Sequence, residues 1–501
     1  MANSTQKQKK SIVKILGINT CFNFNEPYLK DEETQAGGTG FFVDPKIFGD
    51  KFPVKTKNKR FVLTNFHVVE DLTSDECILK QPCLGNSAIT AKVLYVVPSL
   101  DVAILIVDPF KKHPMWFDQG NLADFMENIP NLKIDTTNTI KGNSQSVKAI
   151  GFPNLSSDYQ ICSGVISGRA LGMIQLNISF NGGNSGGPLF LKNKVIGICT
   201  ASIVDSEALG LAMPIHKICR FFQKWTNYKE RLLHTPSWGI FFKHTTPDYL
   251  ASKNIEHYQG CLVKKTTSAM EIKDNYIIMG IKSDNKSYNI DNFGLVEVDW
   301  TDKRVPIDNM EFILSLNPED IHIQYFNNKK NKWTSNIKPK VQDFKVRSRY
   351  PSWEKINYYV LGGIVFMNLT LNHLEEDEEE ESYAGPQCIH LINHLAETMS
   401  MESIVVVTHI ELQSHVFNQK NLTTFDRIVK INNKKIKSVD DIKRIMENVE
   451  TDFIKIETQD DKHTFSLKSL RQQEVKDNLK RKYPDEKLLL VKKKRRYMTS
   501  T

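Results

Sequence analysis

The first part of the chain consists of short apolar runs separated by turn residues. Ten runs of five to nine residues follow one another between Ser11 and Met213, with clusters of Gly, Pro, Asn and Asp between them. Strands of this length and spacing are typical of an all-β sandwich or barrel, whereas βαβ units would place helical patterns between the runs. The pattern therefore predicts a mainly β domain. The runs are SIVKILGI, GTGFFVD, RFVLTNF, AKVLYVV, DVAILIV, SVKAIGF, SGVISGR, MIQLNIS, KVIGICTAS and LGLAM.

The rest of the chain divides into smaller segments. At about 100–200 residues per domain, 501 residues suggest three or four domains. A helix predicted over residues 215–228 closes the β domain, because apolar residues recur there at helical spacing. Further strand-like runs, and a helix with the predicted N-cap Ser438, indicate two α+β modules. The predicted order is a flexible N-terminus (1–10), the β domain (11–232), the α+β modules (237–341 and 350–470) and a basic tail (471–501).

The positive charge of the chain is concentrated at its C-terminal end. The net charge is +8, and residues 471–501 alone hold eleven Lys and Arg against four Asp and Glu. The remainder is close to neutral, which argues against a basic nucleic-acid-binding body. Within the tail, KKKRR at 492–496 resembles a nuclear-import signal. A solvated tail, nuclear or nucleolar targeting, and direct nucleic-acid contact remain alternatives, although no aromatic stacking platform accompanies the basic residues.

A run of seven consecutive acids at 375–381 interrupts the second α+β module. Such a run cannot pack into a core, so we expect a solvated loop there. A docking or autoinhibitory role against the basic tail is the alternative interpretation.

The cysteines and the hydropathy pattern predict an intracellular protein without a membrane span. Eight cysteines are scattered along the sequence without a CxxC pair or a Cys/His spacing suited to zinc, so we expect reduced, mainly buried thiols. No run approaches the roughly 18–20 apolar residues of a transmembrane helix, and the N-terminal residues do not resemble a secretory signal. Nuclear, nucleolar and cytoplasmic locations all remain open.

The stretch NGGNSGGP at 181–188 offers the chemistry of an activated serine. Glycines around Ser185 expose its hydroxyl and allow several backbone N–H groups to point at one position. A serine hydroxyl is a poor nucleophile by itself, so it needs a histidine base and a carboxylate that orients the histidine. A glycine-rich turn with a solvated serine is the simpler alternative.

Two residues at predicted strand ends are candidates for the histidine base and the orienting carboxylate. Among thirteen histidines, His67 directly follows the apolar run RFVLTNF, where a side chain projects into a cleft. Asp101 begins the apolar run DVAILIV, and Asp108 at the other end of this run is its competitor. The order His67, Asp101, Ser185 is that of the two-barrel serine proteases, which favours Asp101.

Five motifs in this order and approximate spacing resemble the Deg/HtrA family of ATP-independent, trypsin-fold serine proteases: LTNFHVV, SLDVAILIV, SGVISGR, NGGNSGGPLF and LGLAMPI. The resemblance covers roughly residues 10–230 and implies a chymotrypsin-like double β-barrel. It implies His67 as general base and acid, Asp101 as its orienting carboxylate and Ser185 as nucleophile. The N–H groups of Gly183 and Ser185 would form the oxyanion hole, with Asn184 shaping the loop. No nucleotide, metal or organic cofactor is implied.

The resemblance extends more weakly to both α+β modules, which look like divergent PDZ domains of the plant-type Deg proteases, some of them nuclear. WGIFF at 238–242 and GGIVF at 362–366 occupy the place of the carboxylate-binding loop, although neither is a clean GLGF. The aromatic residues of WGIFF are equally well explained as core. Family members are usually homo-oligomers, so an oligomer acting on polypeptide substrates is implied.

The sequence gives limited information about substrate preference. Phe180 and the run at 209–213 are expected to flank the primary pocket, and no acidic residue stands there to attract Lys or Arg. We therefore expect cleavage after small or medium apolar residues. A catalytically silent PDZ scaffold and a basic-tailed chromatin-binding protein are the two rival functions.

Overall fold

The computed structural model describes residues 8–476 except 30–31, 55–58, 86–87, 108–127, 138–139, 141, 143, 171, 203–208, 256–258, 268–271, 328, 335–336, 375–388, 399 and 413. Asp108, the acidic run 375–381 and the KKKRR segment lie outside the described residues. Residues 1–19 and 34–342 form one compact unit, and residues 20–33 and 343–501 form a second. Among the helices of the described residues, none has the length and apolar character needed to cross a membrane.

Six strands form the first closed barrel. They are β1 (Ile12–Asn19), β2 (Thr34–Val43), β3 (Arg60–Thr64), β4 (Glu76–Lys80), β5 (Ala88–Val97) and β6 (Val102–Val107). The strand order around the barrel is β1, β2, β3, β6, β5, β4, and neighbouring strands are antiparallel. β-Branched and aromatic residues fill these strands because they pack well on a pleated, half-buried surface.

Six further strands form a second closed barrel. They are β7 (Ser146–Gly151), β8 (Gln160–Ala170), β9 (Met173–Leu176), β10 (Pro188–Leu191), β11 (Lys194–Ser202) and β12 (Gly210–Pro214). Their order is β10, β11, β12, β9, β8, β7. One buried cluster includes Phe41 and Ile104 of the first barrel together with Ile150 and Ile198 of the second, so the barrels share a core. The predicted double barrel is confirmed.

The helix after the barrels is shorter than the predicted range 215–228. Helix α1 (Ile215–Arg220) continues only through a π-helical turn, Phe221–Trp225. Thr226 then adopts an extended conformation, with φ −98° and ψ 152°. The chain turns back so that the ring of Tyr228 stacks on Phe222, 6.1 Å between centroids. The helical turns thus end at Trp225, three residues before the predicted end, where Tyr228 packs back on Phe222.

Residues 237–342 contain a mixed arrangement of strands and helices. The strands are β13 (Ile240–Lys243), β14 (Cys261–Thr266), β15 (Ile277–Ser283), β16 (Lys286–Asn289), β17 (Leu295–Val298), β18 (Thr301–Pro306), β19 (Ile321–Phe326) and β20 (Asn331–Trp333), and the helices are α2 (Pro247–Ser252) and α3 (Met310–Ser315). The sheet order is β13, β14, β15, β19, β20, while β16 pairs with β15 and β17 with β18. In the WGIFF segment, Trp238 is a core residue that donates to the Ile307 carbonyl at 2.7 Å, whereas Phe241 is 43% exposed.

The second unit is built on one further sheet. Its strands are β21 (Tyr358–Leu361), β22 (Ile364–Asn368), β23 (Val405–Ile410), β24 (Arg427–Ile431), β25 (Lys434–Lys435), β26 (Phe453–Thr458) and β27 (Lys462–Ser466), and its helices are α4 (Ile389–Thr398), α5 (His415–Gln419), α6 (Val439–Glu447) and α7 (Leu467–Lys476). The order is β21, β22, β23, β24, β26, β27, and β25 pairs with β24. Ser438 is the N-cap of α6, as predicted, and its N–H donates to Asp441 at 2.9 Å. Helix α7 extends through the first six residues of the predicted tail.

Two glycines of the GGIVF segment form a tight turn. Gly362 and Gly363 have φ of +59° and +85° and join β21 to β22, whose register is Leu361 opposite Ile364. A two-residue hairpin turn of this kind requires positive φ values, which favours glycine. Strand β21 therefore occupies one edge of β22, where an added peptide strand would otherwise pair.

The described cysteines form no disulfide bonds. Seven of the eight lie within the described part of the chain, and none of these seven is joined to another cysteine. Burial raises the pKa of Cys77, Cys219 and Cys261 to about 12, so these thiols stay protonated at neutral pH. They act as small apolar residues of the core.

Candidate active site

The register of two strands brings His67 and Asp101 together. β3 ends at Thr64, which pairs with Ala103 near the start of β6. His67 follows β3 by three residues, and Asp101 directly precedes β6, so both lie at the same end of the pair. A 3₁₀ turn, Pro98–Leu100, leads into Asp101, which adopts the left-handed conformation at φ 43° and ψ 51°. The turn directs the Asp101 side chain back toward β3.

His67 and Asp101 make two kinds of contact. Nδ1 of His67 lies 3.0 Å from each carboxylate oxygen of Asp101. The backbone N–H of His67 also donates to Asp101 Oδ1 at 3.1 Å. These contacts place the proton of a neutral imidazole on Nδ1 and leave Nε2 as the basic nitrogen. The His67 side chain is 42% exposed, so Nε2 can be reached from solvent.

Two residues that the sequence analysis did not identify support this pair. The hydroxyl of Thr200 on β11 donates to Asp101 Oδ2. Asn65 is fully buried; its amide donates to the Asp101 carbonyl at 2.8 Å, and its side-chain oxygen accepts from the N–H of Gly186 at 2.5 Å. Asn65 thus connects the His67 segment to the glycine-rich loop. Its place two residues before the candidate histidine was the available sequence signal, whereas nothing local marks Thr200.

Ser185 is held by the same threonine. Its hydroxyl donates to the Thr200 carbonyl at 2.8 Å, so its proton points at the strand β11 and not at His67. Thr200 therefore contacts Asp101 through its hydroxyl and Ser185 through its carbonyl. The hydroxyl hydrogen would have to leave the Thr200 carbonyl before it could be passed to Nε2 of His67.

The loop around Ser185 is fixed by backbone contacts. Thr39 N–H donates to the Ser185 carbonyl at 2.8 Å, and Thr39 Oγ1 donates to the Gly183 carbonyl at 2.7 Å. Asn154 N–H donates to the Gly182 carbonyl at 2.5 Å. Because the C=O and N–H of a trans peptide point in opposite directions, this last bond turns the N–H of Gly183 away from Asn154.

Gly183 occupies a position that another residue would not fit. Its φ is +91°, and a Cβ there would lie 2.3 Å from the Phe152 carbonyl oxygen. The neighbouring Asn184 is 6% exposed, and its side-chain oxygen packs over Gly151. The loop conformation thus depends on a glycine at 183 and on a small residue at 151.

Phe180 lies beside the strand that was expected to flank the primary pocket. It is 8% exposed and belongs to the same buried cluster as Ala212 of β12. A Cβ at Gly210, the first residue of β12, would lie 2.7 Å from the Phe180 ring. The predicted neighbours are therefore in contact.

A second charged cluster lies away from these residues in the same unit. Glu311, at the start of α3, is 6% exposed and contacts Arg169, His216 and Lys217, each at 3.2 Å. Burial opposes its ionisation, but the hydrogen bond from His216 and the charges of Lys217 and Arg169 outweigh burial and lower the pKa of Glu311 to about 2. Burial lowers the pKa of His216, against the effect of Glu311. This cluster joins the segment that follows the barrels to α1 and to β8.

Comparison with known proteins agrees with the two-part organisation of the chain. Residues 38–198 match the model of the trypsin-like peptidase domain, and residues 350–483 match that of the PDZ domain.

Among relatives, an Arabidopsis thaliana protein named mitochondrial protease Do-like 3 is 21% identical over 90% of this chain and 74% of its own length. A DegP-like periplasmic serine endoprotease of Pseudomonas putida is 31% identical, over 37% of this chain and 34% of its own length. The chain thus spans about three quarters of the first relative and about a third of the second. Among solved structures, the HtrA-type protease AlgW with a decapeptide has a TM-score of 0.44 at 17% identity, covering 66% of this chain and 96% of that one.

Proposed function

We propose that this chain, which matches the trypsin-like peptidase and PDZ domain models and is similar to Do-like and DegP-like proteases, hydrolyses polypeptides through an acyl-enzyme on Ser185, without ATP. The observation that carries this proposal is the contact of His67 Nδ1 with both oxygens of Asp101 at 3.0 Å. That contact leaves Nε2 of His67, a 42% exposed side chain, as a basic nitrogen accessible from solvent.

In this proposal the reaction begins when the Ser185 hydroxyl turns from the Thr200 carbonyl to Nε2 of His67. His67 removes the hydroxyl proton as Ser185 Oγ attacks the scissile carbonyl, and the negative charge that forms on the carbonyl oxygen accepts hydrogen bonds from Gly183 and Ser185 N–H. His67 then gives the proton to the leaving amine, and the acyl-enzyme remains. Water, activated by His67, hydrolyses the ester and restores Ser185.

Asp101 orients His67 throughout both half-reactions. Its carboxylate holds the Nδ1 proton and stabilises the imidazolium that forms in each transition state. Thr200 and Asn65 act as positioning residues, because they contact Asp101 and the loop and would not contact the substrate.

Labelling with a fluorophosphonate probe tests the nucleophile. We expect the full-length chain to be labelled and Ser185→Ala to lose the label completely, since the probe forms its bond with an activated serine. Labelling that persists in Ser185→Ala would contradict the proposal. No labelling of the unsubstituted chain, with or without unfolded polypeptide, would favour the rival PDZ scaffold.

Two adjacent glycines give a matched test of the oxyanion loop. Gly183→Ala should lower kcat/KM by roughly 10²–10³-fold, because the new Cβ would displace the peptide that carries a donor. Gly182→Ala is the control, since no atom of the described residues lies within 4 Å of a Cβ added there. Equal activities of the two variants would remove Gly183 from the proposed site.

We propose unfolded or regulatory polypeptides as substrates, cut after small or medium apolar residues. The contact of Phe180 with Gly210 supports an apolar primary pocket at β12. A peptide library should show this preference, and Phe180→Ala should extend it toward larger apolar residues. Preferential cleavage after Arg or Lys would contradict the proposal.

A role in protein quality control, a homo-oligomeric assembly and a nuclear location complete the proposal. The family supports the first two, and KKKRR at 492–496 supports the third. Light scattering of the purified chain would measure the oligomer directly, and a monomer would contradict it. Residues 471–501 fused to a fluorescent reporter should collect in nuclei, whereas a diffuse reporter would exclude an autonomous signal.

A further inference from the structure

Three side chains in the second unit form a cluster that the proteolytic function does not use. His409 is the penultimate residue of β23, and Glu411 follows that strand by one residue. Glu26 comes from the segment 20–33, which joins β1 to β2 in the sequence and belongs to the second unit. One ligand atom from each of the three side chains lies within 4.8 Å of the others, and all three residues are half-buried.

The three side chains converge because of two separate features of the backbone. Residues two apart in an extended strand project from the same face, which puts His409 and Glu411 side by side. The backbone of Gly363 lies against Glu411: a Cβ there would be 3.0 Å from Glu411 Cβ, and the Glu411 N–H donates to the Gly363 carbonyl at 2.8 Å. The position of Glu411 is therefore fixed by the hairpin turn between β21 and β22.

The segment that carries Glu26 is equally well anchored. The side chain of Asn23 accepts the N–H groups of Asn25 and Glu26, both at 2.9 Å. The Asn25 carbonyl accepts from Thr408 of β23 at 3.0 Å. Tyr28, 5% exposed, packs in one cluster with residues of β21 and β22, and its hydroxyl donates to Glu26 Oε1 at 2.7 Å. Hydrogen bonds of this kind to a ligating carboxylate are a regular feature of metal sites.

The distances within the cluster are compatible with ligands around a single cation. Nε2 of His409 lies 3.3 Å from Glu26 Oε1 and 3.9 Å from Glu411 Oε2. A charge-assisted hydrogen bond between such groups would be about 2.7–2.9 Å long. Ligands at about 2.0–2.2 Å from a tetrahedral zinc ion lie roughly 3.3–3.5 Å from one another. The separation of His409 and Glu26 already matches this spacing, whereas Glu411 Oε2 would have to move closer to His409 Nε2.

From this geometry we propose that Glu26, His409 and Glu411 bind one Zn²⁺ ion, with water as the fourth ligand. One imidazole and two carboxylates form a donor set that accepts zinc, and the two carboxylate charges match that of a divalent cation. The ion fastens the segment 20–33 to the sheet of the second unit. The proposal is independent of the proteolytic mechanism.

Zinc titration of the full-length, chelator-treated chain tests the site. We expect calorimetry to give one ion per chain, and Co²⁺ to give the visible absorption of a four-coordinate site. Glu26→Gln, His409→Ala and Glu411→Gln should each weaken zinc binding at least tenfold and abolish the Co²⁺ spectrum. Saturating zinc should raise the Tm of the unsubstituted chain by several degrees and leave that of Glu26→Gln unchanged.

His415→Ala is the matched control, because His415 is an exposed histidine on α5 of the same unit. It should bind zinc as the unsubstituted chain does. Glu26→Gln changes neither the size of the side chain nor the strands, so its effect can be separated from a failure to fold. Absence of stoichiometric binding, or binding that survives all three substitutions, would overturn the proposal in favour of a plain His–Glu ion pair.

Discussion

Two carboxylates of the first unit are surrounded in opposite ways. Asp101 accepts hydrogen bonds from a half-exposed imidazole, a backbone N–H and a threonine hydroxyl, all neutral donors when the imidazole is neutral. Glu311 is buried against Arg169, Lys217 and His216. A buried charge is stabilised by an opposite charge beside it. A carboxylate that stabilises a transient imidazolium, by contrast, should not already be paired with a permanent positive charge. The surroundings of Asp101 therefore suit a role in catalysis, whereas those of Glu311 suit a role in holding segments of the chain together.

The largest effect should follow substitution of Asp101, the carboxylate of the candidate active site. Asp101→Asn should lower kcat by about 10⁴-fold, because the amide favours the wrong tautomer of His67. The Tm should change little, since the residue keeps its size and remains near the surface. Peptidase kinetics together with a thermal scan check both parts. A large loss of Tm would show that Asp101 also holds the structure, and the contrast with Glu311 would fail.

The complementary substitution is Glu311→Ala. Removing Glu311 takes the carboxylate that Lys217 contacts out of a buried ionic cluster, so we expect a loss of about 3–5 kcal/mol of stability. Glu311→Gln should cost less, because it preserves hydrogen bonding. Denaturant unfolding measures the loss. Exposed Glu319, which contacts Lys338, is the control site: Glu319→Gln should be nearly neutral.

Acid should weaken the buried ionic cluster around Glu311. The pKa of Glu311 falls from its ordinary value of 4.5 to about 2 in the folded chain. Between these values the unfolded chain binds the proton and the folded chain does not, so stability decreases as the pH falls from about 5 toward 2, by about 3 kcal/mol. His216 acts in the same direction near its ordinary pKa of 6.5, because its folded pKa is lowered. Unfolding midpoints at pH 7 and pH 3 should therefore differ less in Glu311→Gln than in the unsubstituted chain. Equal differences would assign the acid sensitivity to other groups.

The smallest effect concerns Thr200. Thr200→Val removes the hydroxyl that donates to Asp101 and should lower kcat about tenfold with KM unchanged, as expected for a hydrogen bond to a charged group. Thr200→Ser retains the hydroxyl and should restore most of the activity. If the serine variant were as slow as the valine variant, packing and not the hydrogen bond would explain the loss.

The sequence predicted which strands and helices form more accurately than it predicted where they end. The ten runs correspond to strands because apolar alternation and turn residues agree locally, and Ser438 begins a helix because its capping partner lies three residues away. The end of the helix after β12 could not be read, because it depends on Tyr228 meeting Phe222 and the first barrel.

In the candidate site, too, the residues with a local sequence signal were predicted and those defined by long-range contacts were not. His67, Asp101 and Ser185 were found because each stands at a strand end or within a glycine-rich loop, and the structure brings the first two into contact. Thr200 was missed because it lies inside an apolar strand, and its role arises from contacts with residues 99 and 15 positions away in the sequence.

By itself, the sequence determined the mainly β architecture, the order of the candidate residues and the glycines of the Ser185 loop. These are local properties, set by side-chain period and by the φ values that glycine permits. Only the tertiary structure decided that the Ser185 hydroxyl points at Thr200, that Glu311 is buried among three basic side chains, and that Glu26 meets His409. Such contacts depend on which distant segments pack together, and each of them joins residues that the sequence keeps far apart.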